Sequence, residues 1–339
     1  MDKASKRGAS SVRKVLFIML LLVLAAILIV SVYVNKMLGL IERKPVQDET
    51  LSSSQLQEIE NQTDAIDDSF TGPVIDPTDI TWSTEPVEVI EGKHMKNILL
   101  SGQDRRPGEG RQRSDAMILC SINTKTKTLT MTSFLRDLYV PIPGYQDNRL
   151  NAPYQYGGME LLKETLKLNF GVQVDGCIEV DFSRFEKIID LVGGVDIDLT
   201  LSEAMHLNNQ GFYLREGMNH MNGKAALAYS RIRRIGTDFA RTNRQRTVLE
   251  AIVNQSRNLS LGQMHSLLEG VLGLVATDMS NKQILELALE CFPMLKDLEL
   301  KTQYIPAEGT YQFVSIRGMA VIMADMEANR KILVDSIME

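Results

Sequence analysis

The sequence predicts an α/β layered domain that follows a single membrane-spanning helix. Residues 15–34 form one uncharged apolar run, whereas short apolar strand segments alternate with segments of helical spacing from about residue 93 onward. With 44% hydrophobic and 24% charged residues in 339, the chain has the composition of a globular protein. Alternating strands and helices favour one sheet that is covered by helices on both faces.

The apolar run VLFIMLLLVLAAILIVSVYV at residues 15–34 contains neither a charged residue nor a proline. In a helix of about 1.5 Å rise per residue, a run of this length crosses about 30 Å of hydrocarbon. A cleaved signal peptide has a shorter apolar region of about 7–15 residues and ends in small residues, whereas Tyr33, Val34, Asn35 and Lys36 close this run. We therefore expect an uncleaved membrane anchor.

The charges that flank this anchor predict its orientation. Residues 1–14 carry five basic side chains and one acidic side chain, so the positive-inside bias keeps this short tail in the cytoplasm. Everything after residue 34 is then outside the cell membrane, and the protein is a single-pass membrane protein with an extracellular C-terminal domain.

Residues 35–92 are predicted to be an extracellular acidic stem. Their larger part, residues 45–92, has twelve acidic residues and no Lys or Arg, and no sustained apolar period. Such a segment buries too little surface to offset its ordering entropy, so it should be flexible and extended. Regular patterning then begins near Lys93, and residues 93–339 are enough for one large domain.

Within this domain the apolar segments 97–102, 116–123 and 129–134 are predicted to be strands, and the alternating segment 195–199 another. The polar, glycine-containing segment 103–115 reads as a surface loop between the first two strands. Helical spacing occurs at 157–170, 182–192, 223–230, 238–257, 262–275, 281–292 and 317–337.

Two carboxylates are expected at one edge of the sheet. Asp104 follows the first strand and Asp115 precedes the second, so neighbouring strands joined by this loop would bring both to the same edge. Arg106 and Arg113 lie in the same loop, and Arg136 follows the third strand. Two aspartates are hard oxygen ligands that suit Mg²⁺, an ion that shares its coordination shell with phosphates and water.

Residues 231–249, RIRRIGTDFARTNRQRTVL, contain six arginines and a single acid in a chain whose formal net charge is −6. Thr237 or Asp238 is a suitable N-cap, so a helix should begin near Phe239 and place Arg241, Arg244 and Gln245 on one face of its first turns. Cations at a helix N-terminus oppose the macrodipole, so an anion-binding role explains them better than a structural role does.

Just upstream, Arg231 and Arg233 point the same way if the chain is extended there. Guanidinium groups bind phosphate oxygens bidentately, which lysine cannot do. The stretch therefore predicts a phosphate or pyrophosphate site, with a solvated basic face as the alternative.

Other classes of site find little support. Cys120, Cys177 and Cys291 lie in apolar runs, which favours buried free thiols, although one disulfide with a leftover thiol stays open. Four scattered histidines give no zinc pattern, and no phosphate-binding loop or dinucleotide fingerprint occurs. Nucleic acid is not an expected partner of a domain outside the membrane.

The chain from about Asn97 to Gln255 resembles the LytR-CpsA-Psr family. The segments that carry the resemblance are GQDRRPGEGRQRSDAMIL, RDLYVPIPG, LNAPYQYGG, DFSRFEKIIDLVGGVDID, HMNGKAALAYSRIR and DFARTNRQRTVL, in that order. The resemblance implies an α-β-α sandwich with a central mixed sheet and an apolar pocket for a prenyl tail. It also implies transfer of an anionic glycopolymer (teichoic acid or capsular polysaccharide) from a polyprenyl-pyrophosphate carrier to peptidoglycan. The new link would be a phosphodiester, and polyprenyl phosphate would be released.

The same resemblance implies a role for each matching residue. Asp104 and Asp115 would hold Mg²⁺, and Asp238 would orient its neighbours. The side chains that would hold the pyrophosphate are Arg106, Arg113, Arg136, Arg231, Arg233, Arg241 and Gln245. Of all these, Arg113, Asp115, Arg136, Arg231, Arg233, Asp238 and Arg241 would be catalytic. The chain departs from the family pattern at Ala116 and at Phe134-Leu135, and neither departure removes a charge.

Two alternatives remain at this point. One is a binding module without catalysis that holds prenyl pyrophosphate or wall polymer, and the other is a pyrophosphatase that uses water as the nucleophile. Retention of both aspartates and of the motif arginines favours catalysis. The base could be Asp115 or Asp238, or the acceptor hydroxyl could be activated by position alone.

Overall fold

The structure is a computed structural model, and it describes residues 34–43, 71–83, 87–89, 92–103 and 111–338. The chain divides into two compact units, Met1–Ile41 and Glu42–Glu339. In the first unit, residues 34–38 are helical. The predicted cytoplasmic tail, 1–14, and nearly all of the predicted membrane span, 15–34, lie outside the described residues. Within the described ranges, no helix has the length and apolarity needed to cross a membrane.

The second unit is built on a mixed sheet of seven strands in the order β1-β11-β8-β3-β4-β5-β12. The strands of the unit are β1 (Glu42–Arg43), β2 (Val74–Ile75), β3 (Met95–Gln103), β4 (Ala116–Asn123), β5 (Thr128–Phe134), β6 (Tyr139–Val140), β7 (Asn148–Arg149), β8 (Gly176–Asp181), β9 (Val195–Leu199), β10 (Gly217–Met221), β11 (Ala276–Thr277), β12 (Glu299–Ile305), β13 (Tyr311–Ile316) and β14 (Met319–Ala324). In the main sheet, β3, β4 and β5 are antiparallel neighbours, whereas β8 is parallel to β3 and β12 is parallel to β5.

Helices cover both faces of this sheet. They are α1 (Ala152–Phe170), α2 (Phe182–Leu191), α3 (Leu201–Asn208), α4 (Gly223–Ser230), α5 (Asp238–Ser256), α6 (Leu261–Leu272), α7 (Asn281–Cys291) and α8 (Met326–Met338). Successive side chains of a strand point to opposite faces. Leu99 and Leu119 accordingly share a core with residues of α1 and α8, whereas Ile118 packs with Leu249 of α5. The expected mixed α/β fold with helices on both faces of a central sheet is confirmed.

A second core lies beside the sheet and positions the end of α4. The antiparallel strands β9 and β10 and helices α2, α3, α4 and α5 contribute to it, with Ile197, Ala226 and Val248 fully buried. Helices α2 and α4 touch closely at Gly223, where a Cβ atom would lie 2.0 Å from the backbone oxygen of Glu186. Only glycine fits at this contact, and it places Arg231, directly after α4, beside the sheet edge.

Residues 42–43 of the predicted stem, 35–92, are part of the main sheet, and the prediction that residues 45–92 are flexible is wrong for residues 71–83. Glu42–Arg43 pairs with β11, and Val74–Ile75 pairs with β13 to extend the small sheet β14-β13-β2. Trp82 stacks on Tyr139 with ring centroids 6.3 Å apart, and its indole nitrogen donates to Asp147 Oδ2 at 2.6 Å. The acidic composition of the segment gave no indication of these contacts. The packed domain therefore begins before residue 93.

The predicted helix over 317–337 is also wrong in its first half. Residues 319–324 form β14, which pairs with β13 as a hairpin, and only α8 is helical. Arg317 and Gly318 form the turn with φ of +50° and +74°, the backbone that a tight two-residue hairpin needs. The short apolar runs FVSI and MAVIMA are compatible with buried strands, but the helical spacing that follows them led to the prediction of one helix.

The remaining elements lie close to their predicted positions. The strand 116–123 and the helix 223–230 have the predicted bounds, and most other predicted ends are within three residues. Helix α1 begins at Ala152 rather than 157 because Gly157 and Gly158 break it internally without ending it. The strands β6, β7, β8, β10, β11, β12 and β13 and the helix α3 were not predicted.

Candidate functional site

The β3–β4 hairpin presents the first candidate carboxylate at the expected edge of the sheet. Gly102 pairs with Ala116, and the Asp115 backbone N–H donates to the Gly102 oxygen at 2.9 Å. Asp115 therefore closes the hairpin on the side from which the loop leaves. Asp104, one residue after β3, and Arg106 lie outside the described residues, so their positions stay predictions.

Asp115 is bound by an arginine from the neighbouring strand. Arg136, two residues after β5, donates from Nη1 to Asp115 Oδ1 at 2.9 Å, and Arg233 Nη2 lies 4.0 Å from the same oxygen. Burial lowers the pKa of Arg136, but Asp137, Asp238 and Asp115 together raise it above its ordinary value. The predicted residues Asp115, Arg136 and Arg233 are thus brought together.

The N-terminus of α5 supplies a buried ion pair to the same group. Arg241 Nη2 lies 2.7 Å from Asp238 Oδ1, and the Arg241 side chain is only 4% exposed. Burial is the main cause that raises the pKa of Asp238 and lowers the pKa of Arg241, so neither charge is fully compensated. Within the described part of the chain, Asp238 Oδ2 and Arg241 Nε have no hydrogen-bond partner. Buried polar atoms are normally paired, so these two are suited to a ligand.

Arg244 does not join this group, although its spacing predicted the same helix face. Its Nε donates to Glu203 Oε1 at 2.7 Å, and its two terminal nitrogens donate to the backbone oxygens of Ile232 and Ile235. Arg244 therefore holds the segment between α4 and α5, and through it the backbone that carries Arg233.

The other predicted cations lie around this centre. The Arg231 guanidinium lies 4.5 Å from the centroid of the Phe182 ring, at the end of α4. Arg113 is half-buried in the loop that leads to Asp115. The roles of Arg113 and Arg231 stay predictions.

An apolar cavity of about 190 Å³ lies between the sheet and helices α2 and α5. Its walls include Ile118, Val180, Phe185 and Leu249, and three of its few polar side chains are Ser101, Ser230 and Gln245. Gln245 Oε1 is buried and, within the described ranges, without a partner. The cavity is therefore apolar with a polar end.

Three residues that line this cavity are close in the chain to residues of the charged group, which brings its polar end near that group. Ala116 of the wall follows Asp115, Ser230 precedes Arg231, and Gln245 lies one helical turn after Arg241. The arrangement suits an amphiphile with an apolar tail and a phosphorylated head, because guanidinium groups bind phosphate oxygens strongly.

Sequence reasoning missed Gln103, the last residue of β3. Its side chain is fully buried, and neither of its polar atoms has a partner among the residues described. Its place directly before Asp104 was the available signal. Phe182, which lines the cavity and contacts Arg231, was likewise not predicted.

The donor chemistry of the edge fits a hard divalent cation. Asp115 and Asp238 offer carboxylate oxygens, and Asp238 Oδ2 is buried without a partner in the described part of the chain. Those residues contain no group of three or more His, Cys, Asp or Glu side chains that could hold a metal. A protein site of one or two carboxylates is typical of Mg²⁺, which completes its shell with phosphate and water.

Known proteins resemble this chain in sequence and in fold. The model of the LytR_cpsA_psr family matches residues 52–333. The chain is 36% identical over 180 residues to the polyisoprenyl-teichoic acid–peptidoglycan teichoic acid transferase TagU of Bacillus licheniformis, a match that covers 51% of this chain and 57% of TagU. The match thus spans less than two thirds of that relative.

Solved structures extend the similarity over more of the chain. TagT bound to LIIa-WTA has a TM-score of 0.60 at 26% identity, covering 73% of this chain and 92% of TagT. YwtF (TagT), of the LytR-CPS2A-psr family, with bound octaprenyl pyrophosphate lipid has a TM-score of 0.57 at 25% identity and covers 75% and 95%. The second structure thus contains an amphiphile of the kind that the cavity and its charged end would suit.

Proposed function

Because the chain belongs to the LytR-CpsA-Psr family, we propose that it attaches an anionic glycopolymer from a polyprenyl-pyrophosphate carrier to peptidoglycan. The linkage would be a phosphodiester, and polyprenyl phosphate would be released. The observation that carries the proposal is the apolar cavity whose polar end, at Ser230 and Gln245, adjoins the cluster of arginines and carboxylates. A relative named as a teichoic acid transferase and a neighbour with bound octaprenyl pyrophosphate support it.

In the proposed reaction an acceptor hydroxyl oxygen attacks the phosphorus that carries the polymer. The bond from this phosphorus to the oxygen bridging the two phosphates breaks, and polyprenyl phosphate leaves with the electron pair. The negative charge that develops is neutralised by Arg136, Arg233 and Arg241, which is the usual source of catalysis in phosphoryl transfer. Arg231 and Gln245 would hold the phosphate bound to the prenyl chain.

The proton of the acceptor hydroxyl needs a base, and Asp238 is the better suited of the two candidates. Asp115 already accepts a hydrogen bond from Arg136, whereas Asp238 Oδ2 has no partner within the described ranges. Burial raises the pKa of Asp238, which strengthens it as a proton acceptor. Mg²⁺, held by Asp104 and Asp115, would add neutralisation of the phosphate oxygens.

The test uses the full chain in detergent, a lipid-pyrophosphate oligosaccharide, and peptidoglycan, with and without Mg²⁺. The proposal expects polymer linked to peptidoglycan together with equimolar polyprenyl phosphate. Cleavage of the donor without linkage would instead indicate a pyrophosphatase, and donor binding without cleavage a binding module. Full turnover in excess chelator would show that the transfer does not require Mg²⁺.

The proposed reaction also requires the domain to lie outside the cell membrane. Protease added to intact cells stripped of their wall should therefore digest residues beyond the anchor and leave the short N-terminal tail protected. Protection of the domain from external protease would contradict both the orientation and the function.

A further inference from the structure

Four aromatic side chains form a continuous strip that starts at the N-terminus of α5. The Phe239 ring lies 5.0 Å from the Tyr311 ring in a stacked arrangement and 5.1 Å from the Tyr304 ring edge-on. Phe313 continues the strip, with its centroid 5.6 Å from that of Tyr311. We call these four residues the aromatic strip.

The aromatic strip is continuous with the proposed reaction centre but leads away from the lipid cavity. Phe239 follows Asp238 directly, so the strip begins at the carboxylate proposed as the base. Tyr304 lies on β12 at one edge of the sheet, whereas the cavity lies over β8, β3 and β4, on the other side of β5. The two apolar features are therefore on opposite sides of the phosphate-binding group.

The Tyr304 ring, at the inner end of the strip, lies beside a buried cation. The Arg246 guanidinium lies 5.6 Å from the Tyr304 centroid, and Arg246 is only 3% exposed. A cation near the negative face of a ring is an attractive contact, and at a buried site it is worth more than at the surface. The strip is thus a pre-organised surface, because Tyr304 is fixed between Arg246 and Phe239.

The outer end of the strip is open to solvent. The Phe313 side chain is 52% exposed, and Tyr311 is half-buried. Phe313 therefore offers one exposed ring in line with the partly buried rings of the strip. The C–H groups on the face of a pyranose carry partial positive charge and match the negative face of an aromatic ring. Rigid aromatic side chains also supply such contact at low entropic cost.

The charge near the strip distinguishes between the two saccharides of the proposed reaction. Burial is the main cause that raises the pKa of Tyr311, and electrostatic interactions with Tyr304 and with the Glu308 carboxylate add to it. Negative charge at this end disfavours a polymer rich in phosphate and tolerates a neutral glycan. The acceptor hydroxyl must also approach the phosphorus from the side away from the prenyl phosphate, which is the side of the strip.

We propose that the aromatic strip Tyr304–Phe239–Tyr311–Phe313 binds the glycan strand of the acceptor peptidoglycan and delivers its hydroxyl to Asp238. This inference rests on the proposed transferase function and adds to it the subsite for the acceptor. Tyr311 and Phe313 contact the sugar rings, and Arg246 is a positioning residue for Tyr304.

The test compares Phe313→Ala and Tyr311→Ala with Phe292→Ala, which removes a ring of similar exposure, 48%, at the end of α7. In the full chain, each strip variant should raise the KM for peptidoglycan about three- to tenfold, the worth of one aromatic contact. The turnover number and the affinity for the lipid-pyrophosphate donor should stay within twofold. Phe313→Trp should keep the KM of the wild type, because it keeps an aromatic ring. Phe292→Ala should change neither the KM for peptidoglycan nor the turnover number.

A second measurement does not depend on turnover. N-acetylglucosamine oligomers, titrated into the full chain in detergent by calorimetry, should bind the wild type and Phe292→Ala and bind Phe313→Ala more weakly. An unchanged KM and unchanged oligomer binding in both strip variants would overturn the inference while leaving the transferase intact. A loss of donor affinity instead would assign the strip to the polymer. If the protein transfers no polymer but binds the oligomers through the strip, the proposed function is contradicted. The strip would then still be a glycan-binding site.

Discussion

At the residue scale, two neighbouring arginines of α5 have opposite environments and should behave differently. Arg241 is buried beside Asp238 with a nitrogen that lacks a partner in the described residues, whereas Arg244 has an acceptor for each of its three nitrogens. The first is suited to a ligand, and the second holds the chain in place. Substitution of each should therefore separate activity from stability.

Arg241→Gln should slow transfer about 10³-fold or more, the scale of a removed arginine finger in phosphoryl transfer. Its melting temperature should fall less than that of Arg244→Ala, because the loss of the pair with Asp238 is partly offset by relief of the burial of the Arg241 charge and of about 0.3–1 kcal/mol of unfavourable dipole interaction. Thermal melts and single-turnover rates check both, with the exposed Arg234→Gln as control. A variant that melts clearly lower and transfers normally would make Arg241 structural.

Arg244→Ala should destabilise the fold by about 3–5 kcal/mol, because it leaves Glu203 buried without its partner. Burial raises the pKa of Glu203, but the hydrogen bonds from Arg244 and Thr200 outweigh it, so the folded pKa lies below the ordinary value. The pair therefore stabilises the fold above the unfolded pKa of about 4.3 and loses this contribution as pH falls through the lower folded value.

Denaturant melts at pH 7 and pH 3 measure this dependence. The free-energy difference between wild type and Arg244→Ala should be large at pH 7 and should narrow at pH 3. An equal difference at both values would mean that Arg244 acts through its backbone contacts alone.

The sequence predicted the basic N-terminus of α5 but not that Arg241 and Arg244 have different roles there. Residues three and four apart share a helix face, so the spacing grouped Arg241, Arg244 and Gln245. The partner of Arg244 is Glu203, 41 residues away in an unpredicted helix, and no local pattern reports such a contact. Gln103 was missed for the same reason, since its burial depends on packing of distant elements.

At the element scale, the close contact of α2 with α4 places Arg231. Gly223→Ala should push the two helices apart, because the new Cβ would meet the Glu186 oxygen at 2.0 Å. A lower melting temperature and slower transfer are expected together. Gly262→Ala, in α6, has nothing within 4 Å and should be neutral or stabilising by up to about 1 kcal/mol. If both alanine variants melt alike, the contact does not position the helix.

Strong local signals explain which elements were predicted. The helix 223–230 and the strand 116–123 have clear patterns, whereas β12 is mostly half-exposed and β8 mixes apolar and acidic residues in a short segment. Strand β14 was assigned to the predicted helix 317–337 and β13 was not predicted, because the turn between them, Arg317-Gly318, lacks the usual Asn-Gly signal.

At the scale of the whole molecule, the segment 71–83 belongs to the folded domain. A chain shortened to residues 93–339 would lose the β2 strand and the Trp82 contact, and would expose the edge of β13. It should melt several degrees below a chain of residues 71–339, and it should aggregate sooner on heating. Equal melting curves would show that this segment adds nothing to the stability of the domain.

Placement of the lipid cavity and the aromatic strip on opposite sides of α5 has a consequence for the order of events. The donor and the acceptor would bind at separate sites, so neither has to dissociate before the other binds. We therefore expect a ternary complex. Double-reciprocal plots of the initial rate against the peptidoglycan concentration, at several fixed donor concentrations, should give lines that intersect. Parallel lines would indicate a polymer-bearing enzyme intermediate. A single displacement within that complex also inverts the configuration at the transferred phosphorus, which a chiral thiophosphate donor would reveal.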